Sequence, residues 1–273
     1  MRLLFAKSKW ELPECGLGEF LARVKHAGFD AAELYLPGVG ESDETVRRMH
    51  ADAGLDLVAQ IVTDGESPAA HGESLRRLYD RALFCGAVRV NCHTGADWFP
   101  FADNIRLFET ALGLEAGEGP GICHETHRGR ALFSAPETQR FLAEIPALRL
   151  TADFSHWQVV HETDDLARQA EAVDAAIGRA WHIHARVGCA QAPQVADARA
   201  PEFAPQLETL LGLWRRILQA RASDGADFVA ITPEFGPPPY QPVAPSTARA
   251  LADPWAVNLW MRDYLRAALP EFV

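Results

Sequence analysis

The chain has 273 residues, of which 48% are hydrophobic and 23% charged, and its formal net charge at pH 7 is -11. This composition is ordinary for a folded enzyme and excludes a largely disordered chain. The acidic charge disfavours nucleic acid as a partner, because a polyanion is repelled. The sequence has five cysteines and no CxxC pair, and no run approaches the roughly 18 apolar residues of a membrane span. We therefore expect a cytoplasmic protein without a membrane partner.

Short apolar runs alternate with stretches of helical periodicity along the whole chain. The runs are nearly continuous in aliphatic character, as in parallel strands that helices cover. In chain order, the predicted strands are 3–6, 31–36, 56–62, 88–93, 121–125, 148–153, 180–184 and 228–234. The predicted helices are 19–26, 43–53, 73–84, 104–114, 136–145, 164–177, 203–220 and 254–268. This alternation predicts one α/β domain over residues 1–273, a single (β/α)8 TIM barrel, with mouth loops around 189–201 and 236–253.

Several predicted strands end in residues that bind metal ions or move protons. Those residues are His93, Glu125, Asp153 with His156, His182 with His184, and Glu234. Because parallel strands of a barrel all point the same way, residues at their C-terminal ends meet in one pocket. The sequence therefore predicts a single polar site at the mouth of the barrel.

The acidic residues of this set predict a metal site. A salt bridge at a strand end explains either Glu125 or Glu234 alone. Together with Asp153, however, they would repel one another unless a cation lay between them. Mg²⁺ or Mn²⁺ favours such oxygen ligands and tolerates one imidazole from His184, while Zn²⁺ or Co²⁺ also fits.

The neighbouring histidines are candidates for substrate binding. His182 and His184 flank one residue and so face the same side of their strand, and His182 is either a substrate contact or a hydrogen-bonded core histidine. His156 follows Asp153 in an Asp-x-x-His pattern and is expected to bind substrate or handle a proton. His93 is either a ligand or a substrate contact.

Four further residues have two interpretations each. Glu33 either contacts substrate or forms a structural pair with an arginine. Arg128 and Arg186 either anchor an anionic group or orient a glutamate. Trp157 stacks on a sugar ring or packs in a wall of the pocket.

The ordered set Glu125, Asp153-x-x-His156, His182-Ile-His184 and Glu234 resembles the xylose isomerase-like TIM-barrel superfamily, the sugar phosphate isomerase/epimerase group. The resemblance extends over nearly the whole chain. In ketose 3-epimerases of that group these positions hold one divalent ion, which implies Glu125, Asp153, His184 and Glu234 as ligands and His156 as a substrate contact. The three-zinc apurinic endonucleases have an Asp-x-His after the seventh strand, which this chain lacks.

The resemblance implies a divalent-metal-dependent sugar isomerase or epimerase. Glu125 and Glu234 would exchange the substrate proton, with an enediolate as intermediate, on a small keto or aldo sugar or a related hydroxy-carbonyl compound. A metal-dependent lyase or dehydratase of a cyclic polyol is the main alternative, followed by a hydrolase or a non-catalytic sugar-binding barrel. Assembly into a homo-oligomer stays open.

Overall fold

Eight parallel strands close into a barrel in the computed structural model, which describes residues 1–117 and 119–272. The strands follow one another in chain order, and the first pairs with the eighth. They are β1 (Arg2–Ser8), β2 (Ala31–Tyr35), β3 (Asp56–Val62), β4 (Arg89–His93), β5 (Ile122–Glu125), β6 (Leu150–Ala152), β7 (Ala180–Ala185) and β8 (Phe228–Pro233). The predicted TIM barrel is confirmed.

Helices surround the barrel and connect successive strands. They are α1 (Leu17–His26), α2 (Asp43–Ala53), α3 (Pro68–Phe84), α4 (Phe101–Glu115), α5 (Ala135–Glu144), α6 (Phe154–Val160), α7 (Ala170–Ile177), α8 (Ala204–Ser223) and α9 (Pro254–Ala268). The sequence shows why several begin where they do. Three of them begin after a serine whose hydroxyl accepts a hydrogen bond from a backbone N–H of the first turn, which would otherwise have no partner; these serines are Ser42, Ser67 and Ser134. None of the described helices has the length and apolar character to cross a membrane.

Two predictions around β6 are wrong. The short helix α6 was not expected, and the helix predicted over 164–177 begins only at Ala170. Local side-chain hydrogen bonds explain the late start. The Asp165 carboxylate accepts N–H of Ala167 at 3.0 Å, and Leu166 adopts a positive φ of 55° that a helix does not allow.

Alternate residues of each strand point into the barrel, and the others pack under the helices. A small apolar cluster fills part of the interior, with Leu4, Ala6, Ala31, Val58 and Ala230. The main core lies between strands and helices. At the C-terminal end of the strands the interior becomes polar.

The two predicted mouth loops are joined to each other. Gln194 accepts the backbone N–H of Gly236 at 2.7 Å and donates to its carbonyl at 3.1 Å. Gln241 donates to the carbonyl of Ala196 at 2.9 Å. These bonds tie the segment after β7 to the segment after β8 and position Tyr240 near the polar interior.

Candidate functional site

The four predicted metal ligands converge at the C-terminal end of the strands. Glu125 ends β5, Asp153 follows β6, His184 lies on β7 and Glu234 follows β8. One ligand atom of each lies within 4.8 Å of those of the other three. None of the four side chains is accessible to solvent by more than a few per cent, since Glu234 is 3% exposed and His184 is fully buried. The register of the parallel strands therefore brings the four predicted ligands together, and their role as metal ligands stays a prediction.

The geometry between His184 and Glu234 bears on what the site can hold. His184 Nδ1 and Glu234 Oε2 are 2.9 Å apart. Neither atom forms a hydrogen bond of normal geometry with any of the described residues. Polar atoms that are buried without a hydrogen bond are rare in folded proteins, and a bound ion often accounts for those that occur. An imidazole nitrogen and a carboxylate oxygen this close together, with Glu125 Oε2 3.5 Å from Nδ1, fit a divalent cation.

Glu33 holds His184 from below. Its Oε1 lies 3.1 Å from His184 Nε2 and accepts Asn91 Nδ2 at 3.2 Å, while its Oε2 accepts the Thr232 hydroxyl at 2.5 Å. A carboxylate requires a proton on Nε2, so Nδ1 is the nitrogen that offers a lone pair to the ligand cluster whenever the ring is neutral. Asn91 also donates to Glu125 Oε2 at 2.7 Å. Glu33 therefore supports the predicted ligands and lies beneath them.

The charges of this cluster shift several pKa values. Burial raises the pKa of Glu33, but the charges of His184 and His182 outweigh it and bring the value to about 2. Burial likewise opposes the charge on His184, whereas Glu234, Glu33 and Glu125 raise its pKa well above the ordinary value. Without a cation, His184 is therefore protonated at neutral pH. A divalent ion would have to displace that proton.

Arg186 is the second cation among the carboxylates. Its Nη2 forms an ion pair with Asp153, lies 3.6 Å from Glu234 Oε2 and lies 2.8 Å from His156 Nε2. Its Nε donates to Ser155 Oγ at 3.1 Å. Burial raises the pKa of Asp153 to about 6, with the charge of Arg186 opposing this shift and that of Glu234 adding to it. The carboxylate of Asp153 is thus shared with Arg186, which the sequence did not predict.

A cavity of about 230 Å³ opens beside the ligands. The described residues that line it are Trp10, Tyr35, Gln60, Val62, His93, Glu125, His127, Arg186 and Glu234. His93 and Arg186 therefore lie where a substrate contact was expected. His93 Nε2 is 2.7 Å from Glu125 Oε2. Arg128 has its guanidinium 5.3 Å from the Tyr240 ring centroid.

Sequence reasoning missed His127. Its ring centroid lies 3.9 Å from that of His156 and 4.6 Å from that of His93. Burial, together with the charge of His93, lowers its pKa to about 3, so the ring is neutral. The sequence did contain an indication of its position, because His127 follows Glu125 by two residues and alternate residues of an extended chain face the same side.

Five of the expected substrate contacts are not among the described residues that line this cavity, namely Glu33, Arg128, His156, Trp157 and His182. Trp157 is fully buried in the core, and its Nε1 donates to the Leu132 carbonyl at 3.2 Å. The prediction that Trp157 stacks on a sugar is wrong, because α6 turns this side chain toward the helices. His182 is fully buried, 2.9 Å from Thr232 Oγ1, and burial lowers its pKa to about 3. His182 is a core histidine, and neither it nor Glu33 is among the described residues that line the cavity.

Comparison with known proteins identifies the family of the chain. The sequence model of the xylose isomerase-like TIM barrel family matches residues 21–203, well over half of the chain. The chain belongs to this family. No curated protein sequence matches this xylose isomerase-like barrel.

Solved structures share its fold at low identity. A xylose isomerase domain containing protein from Salmonella typhimurium LT2 is 17% identical with a TM-score of 0.65, covering 98% of this chain and 97% of its own. A xylose isomerase-like TIM barrel protein from Mycobacterium smegmatis in complex with magnesium is 14% identical, with the same TM-score and coverages. The 3-keto-D-glucoside 4-epimerase from E. coli is 13% identical with a TM-score of 0.60, covering 97% of this chain and 100% of its own. At these identities the likeness concerns the fold.

Proposed function

We propose that this xylose isomerase-like barrel is a divalent-metal-dependent isomerase or epimerase of a small keto or aldo sugar or a related hydroxy-carbonyl compound. The observation that carries the proposal is the pair of buried atoms His184 Nδ1 and Glu234 Oε2, which have no hydrogen bond to the described residues and lie 2.9 Å apart beside Glu125 and Asp153. These four residues would hold the ion, with Mg²⁺, Mn²⁺, Co²⁺ or Zn²⁺ compatible with three carboxylates and one imidazole.

The two glutamates are placed to move a proton. Burial raises the pKa of Glu125, but the charges of His93 and His184 bring it well below the ordinary value, so Glu125 is ionised. Glu234 approaches the same nitrogen of His184 from β8, so both carboxylates border one small volume. A bound divalent ion would stabilise negative charge that develops on a substrate oxygen.

Other residues of the cavity would orient the substrate. Arg186 and His156 are hydrogen-bonded to each other at 2.8 Å, and Arg186 faces the cavity. We assign Arg186 and His93, which both line the cavity, to substrate hydroxyl or carbonyl oxygens, and the fully buried His156 to holding the Arg186 guanidinium in place. The magnesium complex of the Mycobacterium smegmatis protein and the epimerase from E. coli provide precedents for the metal and for the reaction on this fold.

Solvent hydrogen exchange tests the proton-transfer assignment. The protein, loaded with each divalent metal in turn, is incubated with ketoses and aldoses in deuterium oxide, and deuterium in the sugar is measured by mass. We expect incorporation at the carbon next to the carbonyl, and its loss in Glu125→Gln and in Glu234→Gln. The matched control is Glu171→Gln on the exposed face of α7, which should exchange like the unmodified protein.

Two outcomes would contradict the proposal. Exchange that persists in both site variants, with circular dichroism showing intact folds, would remove the two glutamates from proton transfer. Loss of water from the substrate would instead identify a dehydratase.

A further inference from the structure

A buried ion pair lies on the helix side of β1, close to the C-terminal end of that strand. Lys7 of β1 is fully buried and points under α9, with its Nζ 5.1 Å from the centroid of the Trp255 ring. Its Nζ forms an ion pair with Glu11, whose side chain is also buried, and donates to the Ser8 carbonyl at 2.9 Å. A buried ion pair adds little to stability, because the loss of hydration offsets the attraction of the charges. Stability alone therefore does not account for this pair.

The ion pair fixes the orientation of an asparagine on α9. Asn258 is fully buried on the apolar face of this helix, next to Val257. Its Nδ2 donates to Glu11 Oε1 at 3.1 Å, and the same oxygen faces Lys7. A carboxylate oxygen accepts hydrogen bonds, so the amide of Asn258 has to turn its NH2 group toward Glu11. The amide oxygen then faces the segment after β8.

The oriented amide holds the backbone directly after Glu234. Asn258 Oδ1 accepts the N–H of Phe235 at 2.7 Å, and Nδ2 donates to the Phe235 carbonyl at 2.9 Å. Phe235 is fully buried and lies beyond the end of β8, so its backbone groups need such partners. On the other side of Glu234, Pro233 is still in register with Ala185 of β7. The chain is therefore fixed on both sides of Glu234, and this restricts the direction of its carboxylate.

The same network fixes one wall of the cavity beside the candidate ligands. Trp10 directly precedes Glu11 and lines that cavity. Its indole packs against Gly236, where an added Cβ would lie 1.4 Å from Cζ2 of the ring. The contacts of Glu11 and Asn258 therefore connect the loop after β1, the segment after β8 and helix α9.

We propose that Glu11 and Asn258 are positioning residues of the candidate metal site. Glu11, held by Lys7, sets the orientation of the Asn258 amide, and this amide holds Phe235 so that the Glu234 carboxylate faces the other three ligands. Neither Glu11 nor Asn258 is among the described residues that line the cavity, so both act through Glu234. The inference rests on the proposed function, which makes Glu234 a metal ligand.

Binding of Mn²⁺ to the Asn258→Asp variant tests the inference. Aspartate has the same shape, but an oxygen replaces the NH2 group and is repelled by Glu11 and by the Phe235 carbonyl. We expect Mn²⁺ to bind about 10- to 100-fold more weakly in calorimetric titrations, as is typical when a residue that holds a metal ligand is changed.

The matched control is Asn104→Asp. Asn104 is also a buried asparagine on a helix, and its Nδ2 donates to the Ala96 carbonyl at 3.0 Å. We expect this variant to lose stability in urea unfolding and to keep the Mn²⁺ affinity of the unmodified protein. A purely structural role of Asn258 predicts instead that both aspartate variants bind Mn²⁺ like the unmodified protein.

A milder variant keeps the test decisive if Asn258→Asp folds poorly. Glu11→Gln keeps the volume of the side chain, but its amide can turn either atom toward Asn258, so the orientation of Asn258 is no longer fixed. We expect weaker Mn²⁺ binding than in Glu14→Gln, which changes an exposed glutamate of the same loop.

Unchanged Mn²⁺ affinity in both Asn258→Asp and Glu11→Gln would overturn the inference and leave the proposed function intact. If the unmodified protein binds no divalent cation, the proposed function fails, and crystal structures of the metal-free proteins still test the positioning. The distance between Glu234 Oε2 and His184 Nδ1 is 2.9 Å in the unmodified chain. In Asn258→Asp it should change by more than about 0.5 Å, the tolerance within which such sites are held. An unchanged distance would overturn the inference by itself.

Discussion

Replacement of Glu33 by glutamine probes how the barrel prepares His184 for a cation. In the structure, the Glu33 carboxylate accepts hydrogen bonds from Asn91 and Thr232 and lies 3.1 Å from His184 Nε2. Its side chain is only 1% exposed. Glutamine keeps the shape and one acceptor oxygen for His184, while its amide can donate to the Thr232 oxygen. The variant therefore removes the negative charge with little loss of packing.

Two consequences of this change act in opposite directions. Loss of the charge makes His184 a less basic ligand, and changes of this kind typically weaken metal binding about 10- to 100-fold, or about 1.4 to 2.8 kcal/mol. Glu33 also helps raise the pKa of His184, so its removal reduces competition from the proton. Because glutamine preserves the hydrogen bond, we expect a loss of about tenfold, near the lower limit, and a larger loss for Glu33→Ala.

The pH dependence separates the two effects. Metal affinity should increase with pH until His184 has lost its proton, and then become constant. In Glu33→Gln the pKa of His184 is lower, so affinity becomes constant at a lower pH, and the difference from the unmodified protein is largest at high pH. Calorimetric titration with Mn²⁺ between about pH 6 and 9 measures both curves. Identical affinities and identical pH profiles in Glu33→Gln and the surface control Glu171→Gln would refute the reasoning.

Three further predictions concern single features of the structure. Metal binding should release a proton from His184, so the calorimetric enthalpy should vary with the ionisation enthalpy of the buffer, and an enthalpy independent of buffer would contradict the raised pKa. Gly236→Ala should lower stability by about 1 to 3 kcal/mol in urea unfolding, because its Cβ would lie 1.4 Å from Cζ2 of Trp10; unchanged stability would count against this contact. Trp157→Phe should lower stability by about 1 to 3 kcal/mol, because the hydrogen bond to Leu132 is lost, and should leave KM unchanged. A raised KM would show instead that Trp157 contacts substrate.

Much of the architecture follows from local sequence patterns. Apolar runs at regular intervals predict the strands, and serines such as Ser42 mark helix starts because their side chains satisfy a free N–H. The meeting of the candidate metal ligands could also be predicted, since residues at the C-terminal ends of parallel barrel strands lie together at one end of the barrel. Helix α6 could not be predicted, because seven residues form too few turns to show a helical period in the sequence.

The roles of individual polar residues depended on contacts between distant parts of the chain. Glu33 and Thr232 are 199 positions apart, yet they share a hydrogen bond because β1, paired with both β2 and β8, closes the barrel between their strands. Sequence periodicity indicates that Glu33 faces inward, but only the barrel's layers decide that it supports His184 from beneath. Likewise, Arg186, which follows β7, forms an ion pair with Asp153, which follows β6, only because the two strands are neighbours in the barrel.

The sequence by itself determined the strand order, the barrel and the set of acidic and imidazole groups at its mouth, since these follow from periodicity and from parallel strand direction. Only the tertiary structure decided which of those groups face the cavity and which lie beneath it. The physical reason is that a side chain's partners, and therefore its charge state, are set by neighbours that the chain brings together only when the barrel closes.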